Sequence, residues 1–242
     1  MKKMASVLII ASLLSIFLSA CTPSQIAVPT ATLVPTSIPQ PTPTIPPTTL
    51  DLVRVPEDQP TIQAGIDAVA EGGTVLVAPG IYTEQLIISR TITLASYFHT
   101  TNEEHFINET VIEGAGANRI ITVNKSAPDA KIIGFTIQNG NDGIKARGIV
   151  QILNNHFQFN KDAIDYQNGG GINRGNVYEN NADDGIDLDG ASGVTIEKNI
   201  IRHNKNEGIE IRLQDYVGPM LQIIIRDNII SSNVEDGIQL ID

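Results

Sequence analysis

Four aspartates fall within the seven residues Asp183 to Asp189 of the run Asn180-Asn181-Ala182-Asp183-Asp184-Gly185-Ile186-Asp187-Leu188-Asp189, the densest charge in the chain. Carboxylates this close repel one another unless something offsets the charge. Two offsets exist. Water can solvate an exposed acidic ridge, or a hard divalent cation can sit among the oxygens, as calcium does at about 2.3–2.6 Å.

The same pattern recurs on both sides of that run. Small-residue–isoleucine pairs stand at Gly143-Ile144, Ala163-Ile164, Gly185-Ile186, Gly208-Ile209 and Gly237-Ile238, at intervals of 20, 22, 23 and 29. The residue before each pair is Asp142, Asp162, Asp184, Glu207 or Asp236. The residue after each isoleucine is Lys145, Asp165, Asp187, Glu210 or Gln239. If isoleucine points inward, that second column points outward.

Something must hold such columns in register. Asn139, Asn160, Asn181, Asn204 and Asn233 form one further series, and Gly134, Asn155, Asn176, Asn199 and Asn228 another. A period near 22 built from short strands and Asn/Gly turns predicts a parallel β-helix, one coil per repeat, with equivalent residues about 4.8 Å apart along the axis. Stacked Asn side chains would then satisfy buried turn backbone from coil to coil, and the isoleucines would form an inner aliphatic stack. Upstream, Ile62, Ile66 and Val69 share one helical face and Gly72-Gly73 follows, which predicts an amphipathic helix capping the open end of the solenoid. Strands are expected at 74–78, 85–88, 92–96, 110–113 and 120–123. The fold class is all-β.

The segment VPEDQPTIQAGIDAVAEGGTVLVAPGIYTEQLIISRTITL resembles the opening of right-handed β-helix proteins of the pectate-lyase and pectin-esterase type. With the coils behind it, the resemblance covers residues 53 to 242. The Asp-rich coil is similar to family 9 polysaccharide lyases, in which an Ala-Asp-Asp-Gly-aromatic-Asp run binds calcium and a lysine one coil later abstracts a proton. That resemblance implies Asp183, Asp184 and Asp187 as calcium ligands, with Asp162 or Asp165 available from the preceding coil. Gly208-Ile209-Glu210 stands where the family places its lysine, so Lys205 is the nearest substitute, and Lys145 lies two coils away. Asp183-Asp184 also matches the acid–base pair of inverting polygalacturonases, but the Gly-His-Gly and Arg-Ile-Lys motifs of that family are missing. The pectin-esterase motifs are absent too. Arg147, Arg174 and Arg212 either contact an acidic glycan or balance neighbouring carboxylates. His99, His105, His156 and His203 fall in different columns, which gives no basis for a His-rich metal site.

The ends carry an address. Lys2 and Lys3 precede an apolar run that closes in Leu18-Ser19-Ala20-Cys21, a secretory signal resembling a bacterial lipobox. This implies lipidation at Cys21, the only cysteine of the chain. Residues 22–50 hold eight Pro, eight Thr and no charge, the composition of an extended tether reaching about 90 Å at ~3.1 Å per residue. The folded domain is expected over 51–242. No cap follows the last Gly-Ile motif, so further coils or a second chain are expected to cover that end.

A formal charge of −11 over 242 residues disfavours nucleic acid as a partner. One cysteine excludes an internal disulfide and a thiolate zinc site. The sequence as a whole predicts a secreted β-helix, lipid-anchored to the outer face of a bacterial membrane, that handles a polysaccharide, with an acidic one bridged by calcium. It acts either as a pectate-lyase-like enzyme or as a non-catalytic carbohydrate-binding or surface-display module.

Overall fold

The computed structural model describes residues 50–241 apart from 117–118 and 214–215. The signal segment, Cys21 and the Pro/Thr-rich stretch to residue 49 lie outside the described residues.

Three parallel sheets run the length of the domain. Sheet A has eight strands, sheets B and C seven each, and in every sheet the neighbours come from successive turns of the chain. One turn consists of Gly193–Glu197 in sheet A, Ile200–Arg202 in sheet B and Ile209–Arg212 in sheet C. This is a parallel β-solenoid. Its short strands follow from the sequence: Ile and Val alternate over three to five residues, and Asn or Gly then takes the turn.

The small-residue–Ile pairs place Ile144, Ile164, Ile186 and Ile209 in one register column of sheet C, each with no exposed surface. Phe157 and Tyr178 stack inside the solenoid with ring centroids 4.9 Å apart. In the last described turn, Ile238 and Leu240 continue the columns of Ile209 and Ile211 but are less covered. Val234, Ile238 and Leu240 are 73, 48 and 65 % exposed.

The asparagine series are hydrogen-bonded ladders. The Oδ1 of Asn181 accepts from the backbone N–H of Asn160 at 3.1 Å, and the Oδ1 of Asn204 accepts from that of Asn181 at 3.2 Å. Asn155, Asn176, Asn199 and Asn228 repeat the arrangement. The first rung corrects the sequence-based series by one residue. Gly140, not Asn139, donates to Asn160, and Phe135, not Gly134, donates to Asn155. Asn139 instead takes a left-handed backbone at φ +63° and donates to Glu113.

The predicted helix forms over Ile62–Ala68, with Thr61 as N-cap accepting from the Ala64 N–H. It buries Ile62, Gly65 and Ile66 in the crossover between Leu50–Val55 and Val69–Val77, the two strands at one end of sheet A. Gly72-Gly73 does not stop this helix. The helix ends at Ala68, and the two glycines lie inside the following strand. There the pairing with the first strand slips by three residues, from Leu50 opposite Val69 to Leu52 opposite Thr74, and Gly72 takes φ +79° within the bulged stretch.

Candidate carboxylate site

Register brings the acidic columns together on the outer face of sheet C. Lys145 pairs with Asp165, Asp165 with Asp187 and Asp187 with Glu210, each one turn apart. Their alternation with core residues points them outward, yet Lys145, Asp165, Asp187 and Glu210 are only 4 to 7 % exposed. The solvated-ridge reading is corrected here. A stacked column sets each side chain against those above and below, about 4.8 Å away, and sheds its water. Asp162, Asp184 and Glu207 in the neighbouring column are equally buried.

Chain cations answer part of this charge. Lys145 is ion-paired with Asp165 and lies 3.9 Å from Asp142. Lys161 bridges Asp162 at 3.1 Å and Asp183 at 2.6 Å. Arg212 reaches Asp187, Asp189 at 2.9 Å and Glu210 at 3.0 Å. Arg119 holds Asp142 at 3.2 Å. Arg212 was foreseen as a glycan contact or a charge balance, and in the structure it contacts three carboxylates. Arg147, half-buried just past the strand that ends at Ala146, has no ion-pair partner among the described residues.

The five sequence-predicted metal ligands do not form one cluster. Asp162, Asp183 and Asp184 make one group, Asp165, Asp187 and Asp189 a second, and Asp184, Asp187 and Glu210 a third, with the oxygens of each group within 4.8 Å of one another. In the second group, Asp165 Oδ1 and Asp187 Oδ1 are buried and accept no hydrogen bond. Each carboxylate has a cation on its other oxygen, but a buried oxygen that accepts no hydrogen bond is costly, and two of them stand in register on adjacent turns. The donor set fits a hard oxygen-seeking cation.

Burial raises several of these acids. The Asp187 carboxyl is pushed up to about 7, chiefly by burial and against the pull of Arg212. Asp184 is pushed up to about 8, first by burial and then by a hydrogen bond with the Glu207 carboxyl. Asp142, Asp162 and Glu210 are also raised, with burial the leading cause.

The two candidate bases differ. Lys145 is buried between Asp142 and Asp165, its Nζ turned to their carboxylates and not to solvent. Lys205 sits exposed in a turn with no ion pair among the described residues. Sequence reasoning missed Lys161 and underused Asp189. Lys161 was legible as the residue before Asp162, equivalent to Asp183 one turn on.

A family model described as a right handed beta helix region matches residues 98–242. Neither the curated proteins nor the solved structures contain a match to this chain.

Proposed function

Because the chain belongs to the right-handed β-helix family, we propose that it is an extracytoplasmic polysaccharide-binding protein that engages an acidic glycan through calcium. One observation carries this reading: the two orphaned, buried oxygens of Asp165 and Asp187, with Asp189 within reach. These three residues would hold the ion, which when bound supplies positive charge for a uronate carboxylate. Arg212 orients Asp187 and Asp189, and Lys145 orients Asp165. Binding is favoured over lysis, because Lys145 is held between carboxylates and Glu210 stands at the lysine position.

Calcium that binds only the folded state stabilises it by RT ln(1 + [L]/Kd), about 2.7 kcal/mol at a hundred times Kd. For a domain of this size that raises Tm by about 5–10 °C. Magnesium, which keeps its water and prefers octahedral geometry, is expected to do less. Asp165→Asn combined with Asp187→Asn should remove the calcium response and the calcium-dependent retention on polygalacturonate or alginate gels. Equal shifts for both metals, unchanged in the double variant, would refute the site.

The lipobox resemblance supports anchoring at Cys21. Cys21→Ser is expected to move the protein from the membrane pellet to the soluble fraction, since the Pro/Thr-rich tether that follows offers no other anchor. A variant that still pellets after a salt wash rules that anchor out.

A further inference from the structure

Five successive turns round the corner from sheet B to sheet C through one residue in the left-handed region. Those residues are Asn139, Phe159, Asn180, His203 and Ser232, with φ between +56° and +63°. They form a column, because Gln138, Gln158, Glu179, Arg202 and Ser231 just before them are paired strand to strand, and the asparagine ladder just after them is bonded turn to turn. Asn tolerates this conformation. A bulky aromatic does not, and strain of this kind persists where it serves function.

Phe159 gains little from burial in return. It is 55 % exposed, and it is the one aromatic among the exposed large hydrophobic residues described. Asn139 and Asn180 flank it one turn to each side, about 4.8 Å along the axis, and Asn180 and His203 are exposed. Two residues on, Lys161 lines a depression with Arg119, Asn141, Asp142, Lys145 and Asp162. An open aromatic face, amides and an imidazole in line with it, and a charged hollow beside it suit a ring with apolar C–H faces and hydrogen-bonding edges.

We propose that Phe159 is the stacking platform for a pyranose ring of the bound glycan, whose chain runs along the solenoid axis over Asn180 and His203. This rests on the polysaccharide reading above. The ring supplies flat contact area that is already fixed in place, and the flanking polar side chains take the hydroxyls.

Phe159→Asn, which restores the residue type of the neighbouring turns, tests the platform, with Phe159→Trp as the conservative companion. Retention in native gels containing polygalacturonate, alginate or xylan is measured with and without calcium, together with Tm. The asparagine variant is expected to gain about 2–4 °C in Tm while its glycan affinity falls about tenfold. The tryptophan variant is expected to keep its affinity. A lowered Tm in Phe159→Asn would make the ring structural and overturn the proposal, as would glycan affinity equal to that of the parent. If the parent protein binds none of the three glycans, the polysaccharide reading itself falls and takes the platform with it.

Discussion

Asn181→Ala is expected to cost about 4 kcal/mol and to lower Tm by about 10 °C or more. The side chain has no exposed surface. Its Oδ1 accepts from the Asn160 backbone N–H at 3.1 Å and from Asn160 Nδ2 at 3.3 Å. Its Nδ2 donates to Asn204 Oδ1 at 2.8 Å. Truncation strands donors and acceptors on both neighbouring turns in a place without water, and each stranded group costs about 1–3 kcal/mol. Asn139→Gly is the matched comparison. By sequence, Asn139 belongs to the same series, but it contributes one part-buried hydrogen bond to Glu113, and glycine keeps the left-handed backbone. Its loss should stay near 1 kcal/mol. Thermal melts of the two variants at one pH decide the matter. Equal losses would show that the ladder contributes nothing beyond an ordinary turn.

The difference between those two asparagines marks where the sequence could be read and where it could not. Periodicity is legible in a solenoid because every turn solves the same packing problem, so Ile144, Ile164, Ile186 and Ile209 announce their column. Register is also legible where each turn repeats the same residue types. The first rung keeps the five-residue spacing of the later ones, but its two positions are Phe135 and Gly140 and carry no asparagine. A series counted by residue type therefore slips by one. Gly72-Gly73 misled for a similar reason: glycine ends helices and makes bulges by the same freedom of φ.

The acidic columns were legible as columns and illegible as an environment. Alternation correctly places Asp165, Asp187 and Glu210 on the outer face, but an outer face is not an exposed one when each side chain is stacked on its neighbours. Nor does the sequence say which oxygens find a cation. Arg212 fans over three carboxylates because its planar fork presents several donors at once. Lys145, a point charge, satisfies one oxygen of Asp165 and leaves the other. That remainder depends on side-chain geometry, which the residue types do not specify.

The carboxyl of Asp184 gives the sharpest dependence on pH. In the folded chain it is pushed up to about 8, by burial first and by its hydrogen bond with Glu207 second. In an unfolded chain an aspartate titrates near its ordinary value of about 3.9. Between those values the folded state keeps a proton that the unfolded state has released. Stability from this group is therefore full below about pH 4 and falls as pH rises toward 8, by at most about 1.4 kcal/mol per pH unit. Asparagine at this position mimics the protonated acid, since it can still donate to Glu207 and still accept the Glu207 backbone N–H that now meets Asp184 Oδ1 at 3.0 Å. Asp184→Asn is expected to match the parent at pH 4 and to exceed it at pH 8 by about 2–4 kcal/mol, or roughly 5–15 °C in Tm. Asp183→Asn next door is expected to do the opposite, and weakly. Asp183 is ion-paired at 2.6 Å with Lys161, whose side chain is 54 % exposed, and so open a pair contributes under about 1 kcal/mol. Melts at half-unit steps from pH 4 to pH 8 separate the two. Parallel curves for Asp184→Asn and the parent across that range would mean that Asp184 is ionised in the fold, and the shared proton with Glu207 would have to be abandoned.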